Sequence, residues 1–141
     1  MYDEILLPTD GSPGAEAAVE HALHLARQND AVLHVLHVTD VSEFEDLTDD
    51  QDTGAEIDEE AKELLDPVLT ASEEAGVETI ARSVNGTPHK EVVDYIEAND
   101  IDLVVMGTHG KTGISRVLLG STAEKVVRNS PAPVLTVGVE Q

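Results

Sequence analysis

The chain has 141 residues, 40% of them hydrophobic, with 29 acidic side chains against 8 basic ones and a formal charge of −21. This length fits one packed domain, expected to span 1–141. The lack of cysteine excludes disulfides and thiolate metal sites, and the acidic balance disfavours nucleic acid as a partner because phosphates would be repelled.

Many carboxylates, few lysines and few aromatic residues fit a folded protein working in high salt, so a halophilic source is expected. There the screening length falls to ~3 Å at 1 M and self-repulsion is suppressed. The opening stretch MYDEILLPTDGS has neither a basic leader nor a long apolar core, so a secretory signal is not expected. No apolar run approaches the ~18 residues of a membrane span. A soluble, cytoplasmic protein without a membrane partner is the expectation.

EILLP opens the chain as a short apolar strand. TDGSPG turns it, with Ser12 placed to cap a helix and Pro13 at its first position. Ala15, Ala18, Val19, Ala22, Leu25 and Ala26 then recur at helical spacing. Residues 31–38, AVLHVLHV, read as a second strand. The acidic run over 40–60 reads as a loop beside the crevice, passing into a helix over about 54–75 that Gly76 ends. Residues 77–84 alternate like a third strand, and a helix opens at Thr87 and Pro88. IDLVVMG is the next strand, a glycine-rich loop follows, and a helix covers 121–129. APVLTVGV closes as the fifth strand.

Five strands alternating with helices predict an α/β domain. The expected form is a single open, doubly wound, five-stranded parallel sheet with helices on both faces. In such sheets ligands bind beyond the carboxyl ends of the strands, near a reversal of strand order. That would gather the loops at 8–12, 38–42, 84–88 and 106–122.

Residues 107–128 reverse the charge of the chain, with Lys111, Arg116, Lys125 and Arg128 against Glu124 alone. Gly107 and Gly110 follow a strand, and Gly120 precedes a helix. Ser121 and Glu124 have the spacing of a capping box. Backbone N–H groups at a helix start form an anion site, and glycine lets a phosphate approach the backbone. The plainer alternative is that these glycines only turn the chain.

Two common phosphate motifs are absent. The first glycine of a P-loop ending at Gly110-Lys111-Thr112 would fall on Val105, and no G-x-G-x-x-G follows the first strand. The pattern present is G-2x-G-9x-G-[ST], as Gly107, Gly110, Gly120 and Ser121. With ILLPTDGS, VMGTHG and LLGSTAEKVVRNSPAPVLTV around it, the chain resembles the ATP-binding branch of the universal stress protein (UspA-like) family along essentially its whole length.

That resemblance implies an adenine nucleotide alpha hydrolase-like fold. It also implies a bound ATP or related adenine nucleotide, with Mg²⁺ or Mn²⁺ as an accompanying ion. Asp10 would contact the nucleoside, Pro8 and Thr9 would form its wall, and Val38 would offer backbone to the adenine. Met106 and Gly107 would close the pocket. Gly110, Gly120, Ser121 and Thr122 would hold phosphates, with His109 in the loop between. A homodimer paired through the last strand is implied as well, which suits an apolar edge otherwise left open.

No constellation for catalysis is evident beyond Asp10 and His109, so a regulatory stress-response module with an unidentified protein partner is expected. Hydrolysis would be slow at most. The alternative is a dimeric interaction scaffold of the same fold that binds no nucleotide. A phosphoacceptor receiver domain needs an acidic pair after the first strand and an Asp after the third, and both are missing. His21 and His24 share a helix face, while His34 and His37 point to opposite faces of a strand. All are read as isolated surface or half-buried histidines. Residues 49–60 echo a calcium loop, but Gln51 and Thr53 stand where ligands are needed.

Overall fold

The computed structural model describes residues 2–10, 13–40, 59–108 and 119–138. Five strands alternate with four helices. In chain order they are β1 (Glu4–Thr9), α1 (Pro13–Asn29), β2 (Val32–Asp40), α2 (Glu59–Ala75), β3 (Thr79–Gly86), α3 (Pro88–Ala98), β4 (Leu103–Gly107), α4 (Ser121–Asn129) and β5 (Val134–Val137). The strands form one parallel sheet in the order β3-β2-β1-β4-β5. This is the doubly wound architecture expected from the alternation of patterns. The order also separates the chain from receiver-type domains, whose sheets run 2-1-3-4-5.

The central strands β1, β2 and β4 are buried on both faces, and period-two alternation distributes their side chains. Ile5, Leu7, Leu33, Val35, Leu103 and Val105 face α1 and α2, where they meet Ala18, Ala22, Ala26, Leu65 and Val68. Leu6, Leu36, Val104 and Met106 face the other way, against Val92 and Ile96 of α3 and Ala123 and Val126 of α4. Each fully buried Leu or Val contributes about 1.5–3 kcal/mol relative to exposure. The inward face of α1 is built from alanines, which contribute packing at little side-chain entropy.

Helix ends follow their local chemistry. Pro13 begins α1 and Pro88 begins α3, positions where the missing N–H costs nothing. Gly76 takes φ +76° just past α2, as its place in the sequence predicts. Asp30 and Asp100 take the same left-handed conformation after α1 and α3, a role that Asp fills because its short polar side chain tolerates it. The cap expected at Ser12 and the first part of the helix expected from 54 lie outside the described residues.

Strands β2 and β3 run further than their sequence patterns predict. Thr9, the last residue of β1, pairs with His37. Beyond it the β2–β3 ladder continues through Val38↔Val84, Thr39↔Asn85 and Asp40↔Gly86. At ~3.3 Å per residue this is an overhang of about 10 Å above the end of β1. β5 is shorter than predicted, ending at Val137.

Candidate functional site

The chain proceeds from β1 outward through β2 and β3, then crosses back to β4 and β5. The reversal of strand order therefore lies between β1 and β4, the place at which open doubly wound sheets bind ligands beyond their strand ends. The overhanging ends of β2 and β3 rise along one side of it. The start of α4 lies at the same end of the sheet, on the other side.

Three of the expected residues come from β1 and its outgoing loop. Pro8 and Asp10 are half-buried, and Thr9 is buried. Val38 stands on the overhang, partly buried against the core beneath α3 and α4. Met106 is buried at the end of β4 and Gly107 is half-buried beside it. Gly120 and Thr122 are half-buried and Ser121 is exposed at the start of α4. The fold thus brings Pro8, Thr9, Asp10, Val38, Met106, Gly107, Gly120, Ser121 and Thr122 to one end of one sheet. His109 and Gly110 lie outside the described residues, as do Lys111 and Arg116.

The entrance to α4 is fixed by backbone bonds. The Thr108 N–H donates to the Val137 carbonyl at 3.0 Å, and the Gly120 N–H donates to the Thr108 carbonyl at 2.6 Å. The Glu124 N–H then donates to the Gly120 carbonyl at 2.9 Å, which makes Gly120 the residue at the N-cap. This corrects the expected capping box. Ser121 stands one place inside the helix, so its hydroxyl is not in the cap position. The Glu124 carboxylate bonds Arg128 at 2.9 Å, one turn ahead, rather than reaching back. Gly120 has φ −66° and ψ 165°, open to any residue, and as the N-cap residue it makes no side-chain cap bond to the helix. The N–H groups at positions 121–123 therefore lack intrahelical acceptors. They combine with the positive end of the helix dipole to make a place for an anion.

Burial corrects the reading of two histidines. His34 is 5% and His37 is 6% exposed. They do face opposite sides of β2. His34 meets Tyr95 and Glu4, and His37 meets the Ser83 hydroxyl at 3.2 Å. The Glu4–His34–Tyr95 cluster was not anticipated from the sequence, although alternation along β1 and β2 puts positions 4 and 34 on one face. Among the described residues no group of three His, Asp or Glu side chains could hold a metal ion. The calcium-loop echo at 49–60 falls largely outside them.

Comparison with known proteins places the chain in a family. The model of the universal stress protein family matches residues 1–138, and the chain belongs to that family. Universal stress protein MJ0531 of Methanocaldococcus jannaschii is 40% identical over 140 residues, covering 97% of this chain and 82% of that protein. The solved structure of MJ0577, another universal stress protein of the same archaeon, superposes with a TM-score of 0.83 at 35% identity, over 100% of this chain and 99% of that one. A universal stress protein crystallised in complex with cAMP shares the fold, with a TM-score of 0.75, 24% identity and 99% coverage of both chains.

Proposed function

We propose that this chain binds an adenine nucleotide, ATP in the first instance, in the crevice between the ends of β1 and β4. In this reading the phosphates lie on the N–H groups opening α4, with the Ser121 and Thr122 hydroxyls beside them. The nucleoside lies between the loop carrying Asp10 and the overhang carrying Val38. The observation that carries the reading is the start of α4 on Gly120, an N-cap without a side chain, at the end of the sheet where strand order reverses. Support comes from the relative of the same fold crystallised with cAMP.

Magnitudes decide how much each part must supply. A helix dipole contributes at most ~2 kcal/mol to a sheltered charge. Hydrogen bonds to a charged group contribute about 1.5–3 kcal/mol each. Micromolar affinity needs about 8 kcal/mol. Two or three N–H donors and the dipole approach that value, and the base pocket supplies the remainder and the choice of adenine. Of the metal-ligating groups on the described rim, Asp10 and the two hydroxyls fall short of a resident Mg²⁺ or Mn²⁺ site. A divalent ion would arrive held by phosphate and water.

The protein acts in this proposal as a single-domain regulatory module over 1–141, working in the cytoplasm at high salt, whose nucleotide state is read by a protein partner. It is a homodimer through β5, an edge strand on which Leu135 is exposed. Among the described residues no helix is long and apolar enough to cross a membrane. The deciding experiment is the nucleotide content of the purified protein, followed by calorimetric titration with ATP, AMP, cAMP and GTP. Adenine nucleotide near one per chain, or selective micromolar binding of one of the three adenine ligands, is the expected result. A protein that is empty and binds none of them is the interaction scaffold instead.

A further inference from the structure

Glu4, His34 and Tyr95 form a hydrogen-bonded chain across β1, β2 and α3. His34 Nε2 lies 2.7 Å from Glu4 Oε1, and its Nδ1 lies 2.7 Å from the Tyr95 hydroxyl. The Tyr95 ring meets the imidazole edge-on, with centroids 5.5 Å apart and planes at 72°. The Glu4 side chain is 36% exposed while that of His34 is 6% exposed, so the chain of bonds leads from solvent into the core. Arg82 of β3 also acts on Tyr95, and the Asp102 carboxylate accepts from the Glu4 N–H at 2.9 Å. Burial raises the Tyr95 pKa, Arg82 opposes that shift and Glu4 adds to it.

With a neutral imidazole one arrangement satisfies every group. The Tyr95 hydroxyl donates to Nδ1, and the Nε2–H donates to the Glu4 carboxylate. A second proton on the ring reverses one link. Nδ1 becomes a donor, the Tyr95 oxygen must accept, and the phenolic hydrogen needs another acceptor. The Glu4 contact becomes an ion pair at the same moment. The proton count of His34 and the seating of Tyr95 are thus tied together.

Tyr95 stands four residues after Glu91, on the same stripe of α3. Glu91 folds over Gly86 at the top of β3. A Cβ added to Gly86, which has φ +159°, would overlap the Glu91 carboxylate and lie 2.8 Å from its Cγ and Cδ. One stripe of α3 therefore touches His34 below and the overhang of β3 above.

We propose that Glu4–His34–Tyr95 is a proton-sensitive clasp that sets the seating of α3 and, through Glu91 and Gly86, the β3 rim of the crevice. The clasp works in the free protein and does not depend on any ligand.

The test is a pH titration of the isotopically labelled full chain between about pH 5 and 8, the range in which histidine ordinarily changes charge. It follows the His34 ring and the amides of Gly86, Thr87, Lys90 and Glu91 by NMR. A His89→Gln background removes the histidine in the first turn of α3. The amides are expected to shift with the midpoint of the His34 ring. In Tyr95→Phe, which keeps the aromatic ring, His34 should still titrate while the amides lose that shift. In His34→Gln the shift should vanish. Three results overturn the clasp: a ring that does not titrate in this range, amides that ignore the ring, or amides that still follow it in Tyr95→Phe. A response that survives His34→Gln in full belongs to another titrating group, His37 against Ser83 of β3 or Glu91 and Asp94 of α3, and it overturns the clasp too.

Discussion

The amide of Gly120 donates to the carbonyl of Thr108 at 2.6 Å, joining the two ends of the loop between β4 and α4. Gly120 thereby opens the helix without offering it a side chain. An Asp at this position would accept from the N–H groups of the first turn and complement the helix dipole. We expect Gly120→Asp to stabilise the fold by about 0.5–1 kcal/mol, read as a shift in urea midpoint. The same carboxylate would occupy the place proposed for phosphate, so ATP binding should be lost in a protein that has become more stable.

Gly120→Val separates space from charge. The φ of −66° is open to valine, so folding should survive. A side chain there would lie where phosphate approaches, and ATP affinity is expected to fall at least tenfold, or about 1.4 kcal/mol, by calorimetry. Unchanged affinity in the folded variant would place the nucleotide elsewhere.

Asp102, just before β4, accepts from the N–H groups of Asp3 and Glu4 at 2.7 and 2.9 Å. It pins the start of β1 to β4 at the end of the sheet opposite the crevice. Charge-assisted bonds of this kind are worth about 1.5–3 kcal/mol, and exposure lowers the value. Asp102→Ala is expected to cost about 1–3 kcal/mol of stability and to leave nucleotide affinity unchanged.

The pKa of Glu91 is raised, first by burial and then by Asp94. A raised carboxylate adds stability that is fully present below the ordinary range near 4.5 and is lost as pH rises through the folded value. Glu91→Gln removes that loss. The variant should melt at a higher temperature than the parent at pH 7, and the gap should close as pH falls below 4.5.

Leu135 on β5 and Val127 on α4 are 37% and 45% exposed. If β5 pairs with its copy, Leu135→Lys and Val127→Lys together should shift the mass measured by light scattering from dimer to monomer while the circular dichroism is preserved. A parent protein that is already monomeric at working concentrations would remove the dimer from the proposal.

Much of this fold was legible because its strands are short apolar runs and its helices carry clear periods. Pro13, Gly76 and Pro88 punctuate them where local chemistry demands. The overhang was not legible, since Thr39, Asp40, Asn85 and Gly86 have the composition of a turn and are strand only because each strand templates the other. The capping box failed for a related reason. The bond from Gly120 to Thr108 spans the loop and sets where α4 begins, and a local motif carries no trace of it. His34 reads as an isolated surface or half-buried residue because its two partners, Glu4 and Tyr95, are distant in the chain and near only in the fold.

Thr108 hangs from Val137, and Gly120 hangs from Thr108. The doorway to α4 is therefore suspended from one edge strand, β5, whereas the opposite rim is braced by the β2–β3 ladder, which is independent of β5. Peeling β5 away would slacken the doorway first and leave the braced rim standing. In hydrogen exchange the amides of Thr108 and Gly120 should open together, at lower free energy than those of Val38 and Thr39. Anything that holds the last strand in place, including a second subunit, would then tighten the doorway without touching it.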